Sequence, residues 1–375
     1  MKKIAIIGAN EFQNKLVLKA KEMGIETHVF AWEEGAIAKE NSDFFYPMSI
    51  VEKEKILETC KEIKIDGVCS IASDLAMPTV NFIADRLGLI GNTLDCTLVT
   101  TNKYEMRKRL IANDLPCPQF NLIEKIEDLD LEKIEFPLII KPIDRSGSRG
   151  IVKVTKKEEL YEAIEIAKSV SFSKEILVEE FAEGNEYSVE CISQNGEHHL
   201  LQITKKYTTG APHFIETGHI QPSGLDEKIK NKVKEIILKS LTVLGIKNGA
   251  SHSEIKIFNN EIKIIEIGAR MGGDFIGSDL VKYSTGIDFL KLVLEVALNN
   301  KIEIKSSNNI CKNILVRFIF NKKDIENFNL ISEKYENNIK EYFMSEKLTE
   351  VSDSSSRNGY YIMEFQDKKA LELIF

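Results

Sequence analysis

The most informative run of the chain is Ile264-Ile265-Glu266-Ile267-Gly268-Ala269-Arg270-Met271-Gly272-Gly273-Asp274, and Ser253-Glu254-Ile255-Lys256-Ile257-Phe258 lies shortly before it. Both runs alternate apolar and polar residues around Asn259-Asn260-Glu261, which predicts a β-hairpin. Each strand carries one carboxylate, Glu254 or Glu266, among isoleucines. A three-residue turn would place the two carboxylates opposite each other on one face, whereas a two-residue turn would place them on opposite faces.

We expect the three-residue turn, which collects polar residues on one face and isoleucines on the other. The polar face would hold His252, Glu254, Lys256, Glu266, Gly268 and Arg270, and the core face Ile255, Ile257, Ile265 and Ile267. Facing carboxylates repel unless a cation separates them, and Mg²⁺ binds through one or two carboxylates plus phosphate oxygens. These residues alone leave two interpretations open: a metal site, or an exposed face whose acids pair with Lys256 and Arg270.

Two earlier segments carry groups that suit a nucleotide. Residues 136–154 read strand, loop, strand, with Lys141 ending the first strand and the small residues Ser146–Gly150 in the loop. Such a loop presents backbone N–H groups to an anion, although it is not a Walker A loop. Residues 175–190 run from a strand through an acidic bend into a second strand, and Glu186 there could accept from ribose hydroxyls. An unliganded turn and an acidic surface bend are the alternatives.

Taken in this order, the segments resemble the ATP-grasp carboxylate–amine ligases over about residues 1–300, and most of all their L-amino-acid ligase and carbamoyl-phosphate-synthetase-like branch. The resemblance implies that Lys103 and Lys141 are the two nucleotide lysines and that Arg270 steadies an acyl-phosphate. It implies a phosphate loop at Ser146, Gly147, Ser148 and Gly150, an adenine hinge at Glu179, Glu180 and Ala182, a ribose-binding acid at Glu186, and Mg²⁺ ligands at Glu254 and Glu266.

One position departs from the family pattern. Two residues after the second metal ligand the family usually has Asn, and this chain has Gly268. A water or another group must therefore complete the second Mg²⁺ shell.

The expected fold class is α/β, with α+β character in the ATP-grasp part. Strand and helix patterns alternate at Ile4–Ile7, Asn14–Met23, Glu26–Phe30, Lys53–Ile63 and Gly67–Ile71, which predicts a parallel sheet with crossover helices. Gly8-Ala9-Asn10 does not continue into a GxGxxG fingerprint, which disfavours a nicotinamide cofactor. Ser73-Asp74 follows a strand at the edge where such sheets bind ligands, and it either contacts a substrate or caps the next helix.

We predict three parts along the chain. Residues 1–95 form a Rossmann-like domain with a parallel sheet, and residues 96–305 form an ATP-grasp domain of two α+β subdomains, the nucleotide-binding one spanning about 115–185. Residues 306–375 form a C-terminal α+β segment, with strands at Asn313–Phe320 and Tyr360–Phe365 and a packing or lid role.

Composition narrows the class of protein. The 375 residues carry a formal net charge of −8, which disfavours nucleic acid as a partner. The six cysteines lack CxxC spacing and are expected to be reduced. No signal peptide or run of membrane-spanning length is found, so we expect a cytoplasmic protein without membrane contact, with a homodimer as one option for its assembly.

The resemblance implies a ligase that uses ATP and Mg²⁺, with Mn²⁺ as the alternative metal. A small-molecule carboxylate would attack the γ-phosphorus, giving ADP and an acyl-phosphate, and an amine would then displace phosphate. His219, in the run Thr217–Ser223, would contact this intermediate or accept a proton from the amine, with a structural role as the alternative. An amino acid is the expected substrate, giving a dipeptide or an amino-acid amide; a bicarbonate-activating carboxylase-like enzyme and a noncatalytic ATP-binding regulator are the alternatives.

Overall fold

Three β-sheets organise the chain. The computed structural model describes residues 1–130, 132, 134–306, 310 and 313–365. Within them, one four-stranded sheet is parallel, a second four-stranded sheet is antiparallel, and an eight-stranded sheet is antiparallel. The predicted mixed α/β class is confirmed.

The first sheet has the predicted parallel arrangement. Its strands are β1 (Lys3–Ile7), β2 (Glu26–Ala31), β3 (Phe44–Pro47) and β4 (Gly67–Cys69) in the order β3-β2-β1-β4, and the helices beside them are α1 (Glu11–Glu22), α2 (Lys53–Ile63) and α3 (Met77–Leu87). The sequence did not reveal β3. Helix α1 begins three residues earlier than expected because the Asn10 side chain accepts hydrogen bonds from the N–H groups of Phe12 and Gln13, which stabilises that start.

The second sheet holds the predicted strand–loop–strand segment. Two helices, α4 (Leu94–Thr101) and α5 (Lys103–Ile111), precede it, and Asn102 ends the first helix and caps the second. The strands β5 (Phe120–Ile123), β6 (Leu138–Pro142), β7 (Val152–Val154) and β8 (Ile176–Glu180) follow in the order β5-β8-β6-β7, with α6 (Leu160–Val170) packed on them.

The third sheet is built from strands before and after residue 306. Its order is β13-β12-β9-β10-β11-β14-β16-β15. The strands are β9 (Asn185–Gln194), β10 (Glu197–Thr208), β11 (Glu216–Gln221), β12 (Gly249–Phe258), β13 (Glu261–Gly268), β14 (Ile314–Ile319), β15 (Ile339–Met344) and β16 (Gly359–Glu364). The helices are α7 (Glu227–Val243), α8 (Val281–Thr285), α9 (Phe289–Ala297) and α10 (Lys322–Tyr335).

The C-terminal strands are part of this large sheet. Both strands predicted from the sequence are present as β14 and β16, and β14 pairs with β11 so that His219 lies opposite Val316. Strand β15 and helix α10 were not predicted. The described part of the predicted C-terminal segment therefore extends the central sheet, while the ten residues 366–375 and Cys311 lie outside the described residues.

The predicted hairpin is confirmed, but its predicted turn is wrong. Phe258 pairs with Glu261, so the turn has two residues, Asn259 and Asn260, with φ values of 47° and 64°. Two positive φ angles define the turn that fits hairpin twist, and asparagine tolerates them. A β-bulge then shifts the register between Glu254 and Ile255 and brings Glu254 opposite Glu266.

The bulge also corrects one face assignment. Ile255, Ile257 and Ile267 are buried in the core as expected, and Ile262 and Ile264 join them. Ile265 does not, because the extra residue of the bulge turns its side chain into a pocket on the opposite face of the strand. A strict alternation rule fails wherever a strand gains a residue.

Two further observations concern the whole described chain. No helix within it combines the length and the apolar character needed to cross a membrane. Its five cysteines are free thiols, as the scattered spacing predicted.

The hinge between the second and third sheets depends on Gly184. Its φ is +106°, and a Cβ there would lie 2.2 Å from the carbonyl oxygen of Ile257. We expect Gly184→Ala to lower the free energy of unfolding by about 2–5 kcal/mol through strain and overpacking. Gly196 is the matched control, because its φ is +82° and no described atom lies within 4 Å of the place that a Cβ would take there.

Urea unfolding measures both variants. Gly196→Ala tests the strain of a positive φ alone and should lower the free energy of unfolding by about 1–2 kcal/mol. Equal losses in the free energy of unfolding for the two variants would show that crowding against Ile257 does not affect stability.

Candidate active site

The site lies where the second sheet faces the third. Alternate residues of β9, β10 and β12 point toward the cleft, among them Glu186, Lys206, Glu254 and Lys256. Several cavities open along it among the described residues, and we name three of them: the hinge pocket beside Phe181, the lysine cavity beside Lys103 and the outer cavity beside Asp274.

The hinge pocket has apolar walls and an acidic rim. Its walls include Pro118, Ile139, Ile151, Phe181, Ala182, Phe214 and Ile265. Four residues predicted to contact a nucleotide base or sugar (Glu179, Glu180, Ala182 and Glu186) line it together with Lys141. A flat ring would be enclosed here by apolar side chains, with polar groups at one edge.

A buried ion-pair network holds Lys141 in place. Arg107 donates from Nε to Glu179 at 2.6 Å and from Nη2 to the carbonyl oxygen of Ile265 at 2.6 Å, and Lys141 Nζ lies 2.6 Å from the other Glu179 oxygen. Burial would raise the pKa of Glu179, but Arg107 and Lys141 outweigh it and hold that pKa below its usual range. Burial lowers the pKa of Lys141. The Glu179 side chain thus anchors the lysine, which leaves any contact with a base to the hinge backbone.

The lysine cavity brings the phosphate-loop residues and both candidate metal ligands together. Lys103, Lys141, Ser146, Gly147, Ser148, Glu254, Glu266 and Arg270 all line it. Gly150 does not line this cavity. It packs against α6, where a Cβ on it would lie 2.5 Å from Val170. That glycine serves close packing of the loop against the helix, while Gly147, with φ +70°, gives the loop its turn.

Each candidate metal ligand is paired with a lysine. Lys103 Nζ lies 2.8 Å from Glu266, and Lys206 forms a short ion pair with Glu254. Lys206 also lies 3.2 Å from Glu186 and 3.7 Å from Glu216. Burial would raise the pKa of Glu254, but Lys206 holds it well below its usual range. The Glu254 carboxylate is therefore ionised at neutral pH, as a ligand of a cation must be.

The donor set fits Mg²⁺ only together with a ligand that brings oxygens. Glu254 and Glu266 offer two hard carboxylates on facing positions. Among the described residues, no three His, Cys, Asp or Glu side chains are grouped to hold a metal ion. Mg²⁺ accepts one or two carboxylates with phosphate oxygens and waters, so these residues fit a metal–nucleotide complex.

Space explains why residue 268 is glycine. Arg270 donates to Asp74 from Nε at 2.9 Å and from Nη2 at 2.8 Å. A Cβ on Gly268 would lie 3.0 Å from the Asp74 carboxylate and 3.3 Å from the Arg270 guanidinium. The ion pair thus occupies the volume of a side chain at 268. Asp74 does not cap α3, because no side chain forms a capping hydrogen bond at the start of that helix. It lines the outer cavity instead.

The outer cavity, of about 250 Å³, contains charges of both signs. His219 lies in its wall, fully buried, with Nε2 at 3.4 Å from Asp274. Burial lowers the pKa of His219, so the ring is neutral at pH 7. Because Nε2 faces a carboxylate and carries the proton, Nδ1 keeps a lone pair, and it has no partner among the described residues.

A second histidine supports the floor of the cavity. His252 Nδ1 lies 2.5 Å from Glu190, which also accepts from the N–H of Gly272 at 3.2 Å. Burial would lower the pKa of His252, but Glu190 raises it to about 9. A Cβ on Gly272 would lie 2.5 Å from His252 Nδ1. The glycine is therefore required for this pair to form.

Sequence reasoning missed several residues of the site. Arg107, Lys206, Phe214 and Arg357 were assigned no role from the sequence. For Lys206 a signal existed: the alternation Glu186, Ser188, Glu190 marks one strand face, and a partner strand of matching parity must supply its cation. Arg357 joins Asp274 across 83 positions, a pairing that no local pattern indicates.

Comparison with known proteins agrees with this geometry. A model of the ATP-grasp domain matches residues 134–279. The alanine–anticapsin ligase of Bacillus subtilis (strain 168) is 30% identical over 295 residues, covering 69% of this chain and 62% of that ligase. The D-alanine–D-alanine ligase of Desulforamulus reducens is 27% identical over 225 residues, covering 54% of this chain and 69% of that one.

The similarity extends to the three-dimensional structure. The crystal structure of L-amino acid ligase from Bacillus licheniformis superposes with a TM-score of 0.83 and 25% identity, covering 99% of this chain and 95% of that chain. The chain carries an ATP-grasp domain over residues 134–279, and it is similar in sequence and in structure to ligases. It spans less than two thirds of the length of the alanine–anticapsin ligases that it matches.

The buried network at Arg107 gives the first test of the site. We expect Arg107→Met to lower the free energy of unfolding by about 3–5 kcal/mol, because Glu179 and the Ile265 carbonyl lose a buried partner. Arg109, two residues along the same helix, pairs with Asp95 at the surface, and Arg109→Met should cost about 1 kcal/mol or less. Urea unfolding of both variants measures the difference, and equal losses in the free energy of unfolding would contradict the buried ion-pair network at Arg107.

The crowding at Gly268 predicts a coupling. Gly268→Ala should cost about 1–3 kcal/mol by displacing the Asp74–Arg270 pair. Asp74→Ala removes the carboxylate that crowds residue 268, so Gly268→Ala should then lower the free energy of unfolding by less. The double variant should therefore lose less stability than the sum of the two single variants. A double-mutant cycle from urea unfolding measures this energy, and strict additivity would refute the steric explanation.

Proposed function

We propose that the protein is an ATP- and Mg²⁺-dependent ligase that activates a carboxylate as an acyl-phosphate and joins it to an amine, with an amino acid as a substrate. The products would be a dipeptide or an amino-acid amide, ADP and phosphate, and the compartment the cytoplasm. One observation carries the proposal: Glu254 and Glu266 face each other in a cavity that also holds Lys103, Lys141 and the loop of Ser146. This combination suits a metal-bound polyphosphate.

Each part of the cleft has a role in this proposal. The hinge pocket takes adenine between apolar walls, with Glu186 near the ribose. Lys103, Lys141 and the 146–150 loop hold the phosphates, and Glu254 and Glu266 would hold Mg²⁺ (or Mn²⁺). When bound, the metal supplies positive charge that favours attack on phosphorus. Phe214 approaches the loop through its carbonyl, which accepts from Ser148 at 3.3 Å, so two loops meet over the nucleotide and exclude water.

The transfer steps fall to residues of the outer cavity. Arg270, held by Asp74, places its guanidinium beside both the lysine cavity and the outer cavity, where it offsets charge on the transferred phosphoryl group. The amine must lose a proton as it attacks the acyl carbon and phosphate leaves. His219 Nδ1 is neutral and unpartnered among the described residues, which suits it to accept that proton.

Phosphate release from ATP and Mg²⁺ tests the proposal. Single amino acids, pairs of amino acids and bicarbonate are supplied in a grid. We expect release that depends on an amino acid, and a loss of about 100-fold or more in kcat for Glu266→Gln, because a charge that stabilises the transition state is removed. Glu261→Gln is the control: Glu261 begins the same strand but is exposed.

Two other outcomes are informative. Release with bicarbonate and no amino acid would replace the proposal by a carboxylase-like activity. ATP binding without ADP formation under any condition would indicate a noncatalytic regulator.

A further inference from the structure

The C-terminal segment reaches the outer cavity. Ser354, Ser355 and Arg357, in the loop before β16, line it together with Arg270 and His219. The Ser354 hydroxyl donates to Glu216, and Arg357 Nη1 lies 3.5 Å from the Glu216 carbonyl oxygen. This loop is therefore fixed against the same strand, β11, that carries His219.

Arg357 is held in a defined plane. Its guanidinium stacks 3.5 Å from the centre of the Phe318 ring and forms a two-point pair with Asp274, at 2.9 Å and 2.5 Å. About 10% of the side chain is exposed. A planar guanidinium fixed in this way is suited to grip a carboxylate with two parallel hydrogen bonds.

The pair lies at the end of the site away from the nucleotide. Arg357 and Asp274 line the outer cavity but neither the hinge pocket nor the lysine cavity. Glu254 and Arg270 line both the outer cavity and the lysine cavity. A molecule bound at Arg357 and Asp274 can therefore direct a reactive group toward Arg270, where the acyl-phosphate would form.

We propose that Arg357 and Asp274 bind the attacking amino acid, Arg357 its α-carboxylate and Asp274 its α-ammonium group. This inference rests on the ligase function proposed above. A zwitterion can replace each member of the pair with a group of the same charge, so neither side chain is left as an unpaired buried ion. A simple amine or a simple anion would satisfy only one of the two.

Hydroxylamine separates this inference from the ligase function. It attacks the acyl carbon of an acyl-phosphate, phosphate leaves, and a hydroxamate forms, but it has no carboxylate for Arg357 to bind. For Arg357→Met we expect KM for the attacking amino acid to rise roughly 10- to 100-fold, the loss for hydrogen bonds between charged groups. The ratio of amide to hydroxamate formed should fall correspondingly, and Arg357→Lys should lie between the two proteins.

The matched control is Arg317→Met. Arg317 pairs with Asp324 at 3.3 Å, and its side chain is 16% exposed, but it does not line the outer cavity. Its substitution should leave the amide-to-hydroxamate ratio at the wild-type value. Equal losses of amide and hydroxamate in Arg357→Met would overturn the inference. Absence of both products in the wild type would remove the ligase function and this inference with it.

A second measurement needs no variant. The wild-type enzyme is supplied with an attacking amino acid and with its carboxamide, in which a neutral group replaces the α-carboxylate. We expect KM for the carboxamide to be roughly 10-fold higher or more. Equal KM values for the two would overturn the role of Arg357.

Discussion

Charge balance on one face of the large sheet is the constraint on which the site depends. Each carboxylate that points into the cleft has a cation beside it: Lys206 for Glu254, Lys103 for Glu266, and Arg107 with Lys141 for Glu179. An unpaired charge in such a buried place would cost several kcal/mol. The two lysines hold the facing glutamates in position through these ion pairs.

The turn from Arg270 to Asp274 joins the remaining parts of the protein to this face. At one end Arg270 pairs with Asp74, which lies in the loop after β4, and at the other Asp274 pairs with Arg357 from the C-terminal segment. Gly272 between them leaves room for the His252–Glu190 pair. Residues distant in sequence thus contact the five consecutive residues 270–274, and parts of the chain next to all three sheets line the outer cavity.

Local patterns were sufficient for much of this structure. Alternation of strands and helices gave the parallel sheet, and alternation within strands put Glu254 opposite Glu266, although for the wrong reason. Asn259-Asn260 prefers a two-residue turn, and only the bulge, which no hydrophobic pattern encodes, restores the pairing. The local pattern marked Asp74 as a candidate, but it did not reveal the pairing of Asp74 with Arg270 or any role for Arg357, because the partners lie 196 and 83 residues away.

The central claim is that the facing carboxylates form a metal–nucleotide site. Electron paramagnetic resonance of Mn²⁺, titrated with a non-hydrolysable ATP analogue into wild type and Glu266→Gln, tests it most directly. We expect wild type to bind Mn²⁺ tightly only with the nucleotide present, because two carboxylates alone leave its shell incomplete, and we expect the variant to lose this binding. Equal Mn²⁺ binding by both proteins, or binding that ignores the nucleotide, would contradict the claim.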